Sequence, residues 1–493
     1  MVAFNEIPGG GALRTPLFFA ELDATGANRG GRLPKALIIG QQLPSGSLAA
    51  GVPALCQGTG WVKSMAGQGS MLALMASQYR ARDDFGPLYL LPLGDDGAGV
   101  AATGTIAVTA APTAAGTFVR KIAGQRVAVA VSASQTAAQV ATAIGAAVNA
   151  LPDLPVTATV STTTVTLTAR NKGLGGNDII VAVTDDAAPA GLAVTVTQPS
   201  GGTGNPVTAL TNALATLGDT DFDFIAMPYT DTASLDALRA HLSTRWSWSK
   251  MLYGGAFAGV RGTLGAVTTV GAVRNDPHVC LVGFDSAPEP AWLWAADVTA
   301  AAAVSLRADP GLPLQTVALN VQPPPLEKRW GLGDRNALLF SGIATFTTDA
   351  DGTCRIERLI TTYQRNAYGQ PDDSLLDVER LYQVADILRQ QRSFIETTYP
   401  RMKLADDGTN ARPGNRIVTP SMIKRALIAH YKGMERDGKV QNSAAFAAAL
   451  VVERASGNRC RVDGIAPIVP VDQLRQVAIQ AQLRDAVGVA GAR

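Results

Sequence analysis

Histidine and cysteine are nearly absent from this chain of 493 residues, which holds three of the first and four of the second. Chemistry built on an imidazole base has only His241, His278 and His430 to draw on. None stands in an HExxH helix, and no GxSxG elbow surrounds any serine. Each histidine reads as a core or surface residue. The cysteines Cys56, Cys280, Cys354 and Cys460 are far apart and form no CxxC pair, so the expectation is four buried, reduced thiols and no metal site. No Gly-Lys-Ser/Thr follows a glycine-rich loop, which excludes the common phosphate cradle. "GQGSM" at 67–71 carries half of a GxGxxG, but Leu72 stands where the last glycine belongs, and a capped helix start explains it better. The carboxylate pairs Asp95-Asp96, Asp185-Asp186 and Asp372-Asp373 lie in stretches whose Gly or Pro suits solvated turns. These absences predict a protein without catalytic residues, cofactor or metal.

Other shortages narrow the class further. Aromatics make up 6% of the chain, and the alternating pairs Trp246/Trp248 and Trp292/Trp294 read as packing rather than ligand stacking. No apolar run approaches a membrane span, and the N-terminal residues lack a charged segment followed by an apolar one. A cytoplasmic site of synthesis is therefore expected. The net charge of +2 gives no reason to expect a nucleic acid or a membrane as partner. Charge is nevertheless uneven: residues 355–493 carry 21 Lys+Arg against 15 Asp+Glu, a net of +6 on an otherwise mildly acidic chain.

What is present has a clear order. Residues 1–30 form an extended arm with one potential strand in "LRTPLFFAEL". "PKALIIGQQ", a helix beginning at Ser70, and "GPLYLLPL" spell strand, helix, strand, the signature of a parallel βαβ unit. The texture then changes. Between Val100 and Asn205 only nine charged residues occur, and Ala, Thr and Val dominate in alternating runs. A helix from 132 to 151 interrupts them, with Ser132 and Gln135 at capping-box spacing. The α/β texture resumes at "DFDFIAMPYTD", and "QPPPLEKRWG" reads as an extended connector. The expected division is an α/β domain in two pieces, 31–95 and 205–355, interrupted by a β-rich insert over 96–204. An α+β region over 356–470 and a C-terminal strand arm over 471–493 complete it.

Two features resist a purely structural account. From Val477 the chain alternates, with Val477, Ile479, Ala481 and Leu483 on one side and polar residues largely on the other, the period of a half-buried strand. Nothing after it offers a partner. On the helix predicted over 421–437, Arg425, Lys432 and Arg436 fall within a sector of roughly 40° at 100° per residue. Ile423, Leu427, Tyr431 and Met434 form a separate apolar face. The basic stripe is either a solvated face or a cationic strip for an acidic partner.

The order and spacing of "FNEIP…RTPLFFAELD", "PKALIIGQ", "GQGSMLALMASQYRARDDFGPLYLLPL", "QPPPLEKRWG" and "VDQLRQVAIQAQLR" resemble the tail sheath proteins of contractile phages, specifically the Mu-like branch. The likeness spans nearly the whole chain outside 100–205. It implies a subtilisin-like α/β core without catalysis, a protruding insert whose removal would be tolerated, and a C-terminal domain facing an inner tail tube. It also implies stacked hexameric rings, with baseplate and tail terminator proteins as further partners, in a virion tail assembled in the host cytoplasm. Terminal arms in this family add strands to neighbouring subunits, which gives Val477, Ile479, Ala481 and Leu483 a partner, and Leu17 and Phe19 another. The sheath of an R-type bacteriocin or another injection system shares this pattern, whereas a subtilisin-like hydrolase would need a triad that is missing.

Overall fold

The computed structural model describes residues 33–184, 186, 188–409 and 415–483. Leu17 and Phe19 lie outside the described residues. A six-stranded sheet organises the largest core, in the order Val279–Phe284, Gly255–Arg261, Phe224–Ala226, Ala36–Gln41, Leu88–Leu93, Ala54–Leu55. The first five strands are parallel, and the short Ala54–Leu55 closes the edge antiparallel. Every position of Ala36–Gln41 and Val279–Phe284 is buried, because helices cover both faces of a parallel sheet and leave no side for alternation. Ser70 caps the helix Met71–Arg80 by accepting from the Ala73 amide. The alanine-rich helix Ala291–Ala308 lies across Gly255–Arg261. A Cβ at Gly259 would stand 2.4 Å from the Ala291 carbonyl oxygen, so only glycine permits this approach.

The large core does not stop at residue 355, where a boundary was expected. It continues through Ile360 to Val378, Leu381 and Tyr382. The reason is the long helix Val378–Thr398, whose first turns pack on the sheet. Tyr382 stacks on Phe224 at 4.9 Å and donates to the Asp223 carbonyl at 2.7 Å. Ile387, further along the same helix, belongs instead to a small second core with Tyr431, Met434, Val440, Phe446 and Leu450. One helix therefore joins two cores.

Residues 96–204 hold their own core, between a four-stranded sheet (Ala193–Ser200, Thr103–Ala110, Thr164–Ala169, Val156–Ser161) and a three-stranded one (Gln125–Val131, Gly116–Ile122, Val181–Ala182). The strand Gly116–Ile122 was not predicted, because Arg120 and Lys121 break its apolar run. It pairs with Gln125–Val131 through a two-residue turn, Ala123-Gly124, with φ of 50° and 81°, the left-handed pair that tight hairpins require. The helix begins later than expected, at Ala137, and its capping box is Thr136 with Gln139. Ser132 and Gln135 close the preceding turn instead.

This insert is seated on the large core, not merely tethered to it. Asn171 accepts from the Met71 amide at 2.9 Å and donates to the Gln42 carbonyl at 3.1 Å and to Asp95 at 3.0 Å. Trp292 donates to the Gly175 carbonyl. Arg261 donates to the carbonyls of Asp178, Ala287 and Glu289, bridging insert and body with one buried cation. Excision would leave these groups unpaired, which argues against the tolerance expected from sequence.

Glu289 lies in the same seam. Burial pushes its carboxyl up to about 7, while the Gln322 amide, which donates to it at 3.1 Å, and Lys121 pull it down. Its folded pKa exceeds the unfolded value, so the folded state holds the proton longer. Stability is lost as pH rises through the interval between about 4.5 and about 7. Glu289→Gln removes the charge and keeps the hydrogen-bonding capacity. Its melting temperature is expected to match the parent near pH 5 and to exceed it by several degrees at pH 8, an effect of about 2 kcal/mol. Thermal scans across that range check it, and a constant gap would refute the assignment.

Candidate assembly interface

The last described residues include the strand-patterned segment Val477–Leu483, and the helix that carries the basic stripe precedes them. The helix Pro420–Arg436 is fixed by Thr419, whose hydroxyl accepts from the Met422 amide, and by Pro420 at the first helical position. Its apolar face is anchored by Tyr431, stacked on Phe446 at 3.8 Å. The Tyr431 hydroxyl donates to the Gln441 carbonyl at 2.9 Å and accepts from the Val469 amide at 3.1 Å. The Gln441 amide donates to the Val469 carbonyl at 2.9 Å, and the Val471 amide to Lys439 at 3.2 Å. The sequence "GIAPIVP" at 464–470 reads as a flexible link, but its end is pinned, because the Val469 amide and carbonyl and the Pro470 carbonyl find partners in its own subunit.

The pinning continues to Arg475. Val471, Gln473 and Arg475 face inward while Asp472 and Leu474 are exposed, so the period of two is already set here. Gln383 donates to the Val471 carbonyl at 2.8 Å, and Arg380 pairs with Asp472. Arg475 then reaches Asp377 at 3.0 Å and Glu379 at 2.8 Å. Asp377 also pairs with Arg358 through both carboxylate oxygens, and the fully buried Glu379 accepts from the Leu314 amide at 2.7 Å. The arm predicted to begin at 471 is thus free only beyond 475. From there to Leu483 the chain has neither helix nor strand, and Val477, Ile479 and Leu483 are 70%, 83% and 99% exposed. Ala481 is exposed as well. The same stretch also places Leu474, Val477, Ala478 and Ala481 at helical spacing, but the chain does not coil there.

An open edge lies nearby in sequence. Val451–Arg454 and Val462–Ile465 form a two-stranded antiparallel sheet packed against the helix Pro420–Arg436. Among the described residues neither strand has a second neighbour. Val452 turns inward to the small core, while Val451 and Ile465, directly opposite each other, are 43% and 70% exposed. Sequence reading places a strand over 459–462, but that stretch is largely a turn held by Asn458 and the strand begins only at Val462; its partner Val451–Arg454 was missed, because "VVERASGNR" is short and mixed.

Arg425, Lys432 and Arg436 are all exposed on the outer side of their helix. Among the described residues none of them lies within ion-pair distance of a carboxylate. The chemistry searched for elsewhere does not gather. Burial, with Arg245 adding to it, pushes His241 down to about 4, and His430 stacks on Phe394 at 4.4 Å. Three cysteines are buried, but Cys460 is exposed, against the expectation of four buried thiols. Burial pushes the Cys354 thiol up to about 11. Among the described residues no cluster of three or more His, Cys, Asp or Glu could hold a metal.

Two stretches match known families: residues 203–362 the one described as phage tail sheath protein central domain, and residues 370–484 the phage tail sheath C-terminal domain. The Mu-like prophage FluMu tail sheath protein of Haemophilus influenzae is 39% identical over 479 residues, covering 96% of this chain and 98% of that one. The chain belongs to the phage tail sheath family. The match to the sheath C-terminal domain takes in the pinned root and Val477–Leu483, whereas the insert lies almost wholly outside both matched stretches. Among solved structures, the sheath tail protein from Desulfitobacterium hafniense is 15% identical, covers 93% of this sheath chain and 97% of its own, and gives a TM-score of 0.47. The sheath complex of an extracellular contractile injection system in its contracted state gives 9% identity, 98% and 99% coverage, and a TM-score of 0.49. Likeness at that level fixes no residue correspondence.

Proposed function

We propose that the chain is the structural subunit of a contractile tail sheath, polymerised around an inner tube and linked to its neighbours by strands exchanged at both chain ends. The observation that carries this reading is the C-terminal arm: a strand-patterned segment, locked at its root by Arg475 and unpaired beyond it. The acceptor is the open hairpin Val451–Arg454/Val462–Ile465 of a neighbouring copy, with Leu17 and Phe19 of a further copy on the other edge. An exposed edge and a lone apolar strand are each an aggregation hazard in a monomer; joined, they satisfy each other's main chain.

The energetics fit a machine that must let go. Burying Val477, Ile479 and Leu483 contributes about 5–8 kcal/mol, and a handful of main-chain hydrogen bonds about 1 kcal/mol each. Ordering the segment costs about 1–2 kcal/mol per residue. The balance per link is small, so the lattice holds by the number of its links. Without a nucleotide site, the work of contraction is stored in an extended packing of the core domains and released by a change in that packing while the arms keep neighbours connected. The insert, which has a core of its own, decorates the outside, and the C-terminal region faces the tube.

Microscopy of the purified protein tests the reading: long hollow cylinders are expected, and dispersed monomers at high concentration would overturn it. The basic stripe supplies a separate check. Arg425→Glu with Lys432→Glu is expected to lower tube-templated assembly several-fold, more strongly at low salt than at high. Unchanged tail yield would remove the stripe from the tube interface.

A further inference from the structure

The turn before Leu88–Leu93 is built with unusual care for a surface loop. Arg80 donates to the carbonyls of Asp83, Asp84 and Gly86 at 2.9, 3.2 and 2.8 Å. The buried Asp83 carboxylate accepts from the Tyr79 hydroxyl at 2.6 Å, the Gly86 amide at 2.9 Å and Arg307 at 2.5 Å. A Cβ at Gly86 would stand 2.0 Å from the Arg307 guanidinium, so the turn closes on it without room to spare. What this frame holds out is Phe85, 98% exposed, beside the exposed Asp84. With the backbone of the turn fixed, part of the ordering cost of binding is already met, leaving the ring's own rotamer to be ordered.

At the other end of the sheet lies a cavity of about 300 Å³ floored by the half-buried Trp330 and Phe346 over the fully buried Phe284, and lined also by Lys328, Arg329 and Arg335. Lys328 shares Asp285, itself a lining residue, at 3.8 Å, and Arg335 pairs with Glu357 at 2.8 Å. Arg329 donates to the Pro324 carbonyl and has no carboxylate partner among the described residues. The rim therefore carries an excess of positive charge over an aromatic floor.

We propose that Phe85 and Asp84 of one copy dock into this cavity on a second copy, the ring on the aromatic floor and the carboxylate on Arg329. Topology makes the contact head-to-tail. Phe85 precedes a strand, Phe284 ends one, and both strands run parallel in the same sheet. Knob and hole thus sit at opposite ends of the body, about 20 Å of strand apart. A heterologous contact of that kind does not close on itself in a dimer; it generates a ring where the rotation closes and an open polymer where it does not. The docking rests on the sheath reading but uses no residue of either arm.

Disulfide trapping tests it. With Cys460→Ser removing the exposed thiol, Phe85→Cys and Thr347→Cys in one full-length chain are expected to give a ladder of linked multimers on oxidation. Thr347 lines the cavity. Mixing the two single variants should stop at linked dimers. Phe85→Ala, in the otherwise native chain, is expected to raise the critical concentration for assembly roughly tenfold or more. Asp84→Lys should do so more weakly, and Arg329→Glu added to it should restore part of the loss. Cylinders that form without a ladder would overturn the docking and leave the strand linkage standing; a ladder without cylinders would support the docking whatever the arms do. Equal cross-linking by Phe85→Cys alone would also overturn it, since that result signals a symmetric contact.

Discussion

A chain ending at Arg475 is expected to fold as well as the full-length protein and to form no cylinders. Its fold should be unaffected because, among the described residues, those after Arg475 make no hydrogen bond to the body, and Val477, Ile479 and Leu483 are almost wholly in water. Assembly should fail because each subunit loses one of the two strand links proposed to join it to its neighbours. Melting temperature should shift by no more than about 1 °C, in line with surface changes of under about 0.5 kcal/mol. Sedimentation and microscopy should find only small species at concentrations where the parent polymerises. The side-chain pattern makes a finer version possible. Ile479→Asp with Leu483→Asp places charge on the side proposed to be buried and is expected to reproduce the truncation. Gln480→Asp with Gln482→Asp charges the opposite side and should be tolerated, because an added strand buries alternate residues. If both double variants behave alike, the segment does not act as a strand. If the truncated chain still builds cylinders, the C-terminal arm is not the linker.

Much of this was legible in the sequence, for reasons that differ from element to element. The central strands announce themselves as short apolar runs between glycine and proline, since burial on both faces leaves nothing to alternate. The period of two after Val477 was plain, although nothing in this one subunit enforces it; such a pattern is informative because it lacks a local use. The ion cluster at the arm's root was not legible. Arg475 lies almost a hundred residues after Asp377 and Glu379, and no spacing rule connects them. The cap at Thr136 lost to a false one four residues earlier because Ser132 and Gln135 show the same spacing as Thr136 and Gln139. The seam under the insert was hidden for a similar reason: Asn171, Gly175 and Asp178 are ordinary loop residues until the fold sets them against Met71, Trp292 and Arg261. Knob and cavity were equally invisible, because "RDDFGP" reads as any solvated turn.

Removing the charge that holds the root is expected to cost more stability than removing the arm. Glu379 is fully buried, and its two oxygens serve different elements, one the Leu314 amide and the other Arg475. Glu379→Ala leaves that amide unsatisfied and a half-buried guanidinium with Asp377 alone, a loss of about 3–5 kcal/mol. Arg475→Ala strands the carboxylate instead. The double variant Glu379→Ala with Arg475→Ala removes both charges at once and should cost clearly less than the two single losses added together. Denaturant titrations of the four proteins form the cycle; strict additivity would mean that the pair is not coupled. Limited proteolysis separates stability from tethering, since both single variants should expose 471–475 to cleavage while the rest of the chain resists. That distinction bears on contraction. Asp377 stands at the start of the helix Val378–Thr398, which contributes Tyr382 to the large core and Ile387 to the small one. Tension on an arm docked in a neighbour would therefore enter through Arg475 at the element that, among the described residues, contributes to both cores. Variants with a loosened root should accordingly assemble but uncouple, giving cylinders that fragment on contraction where the parent's remain whole.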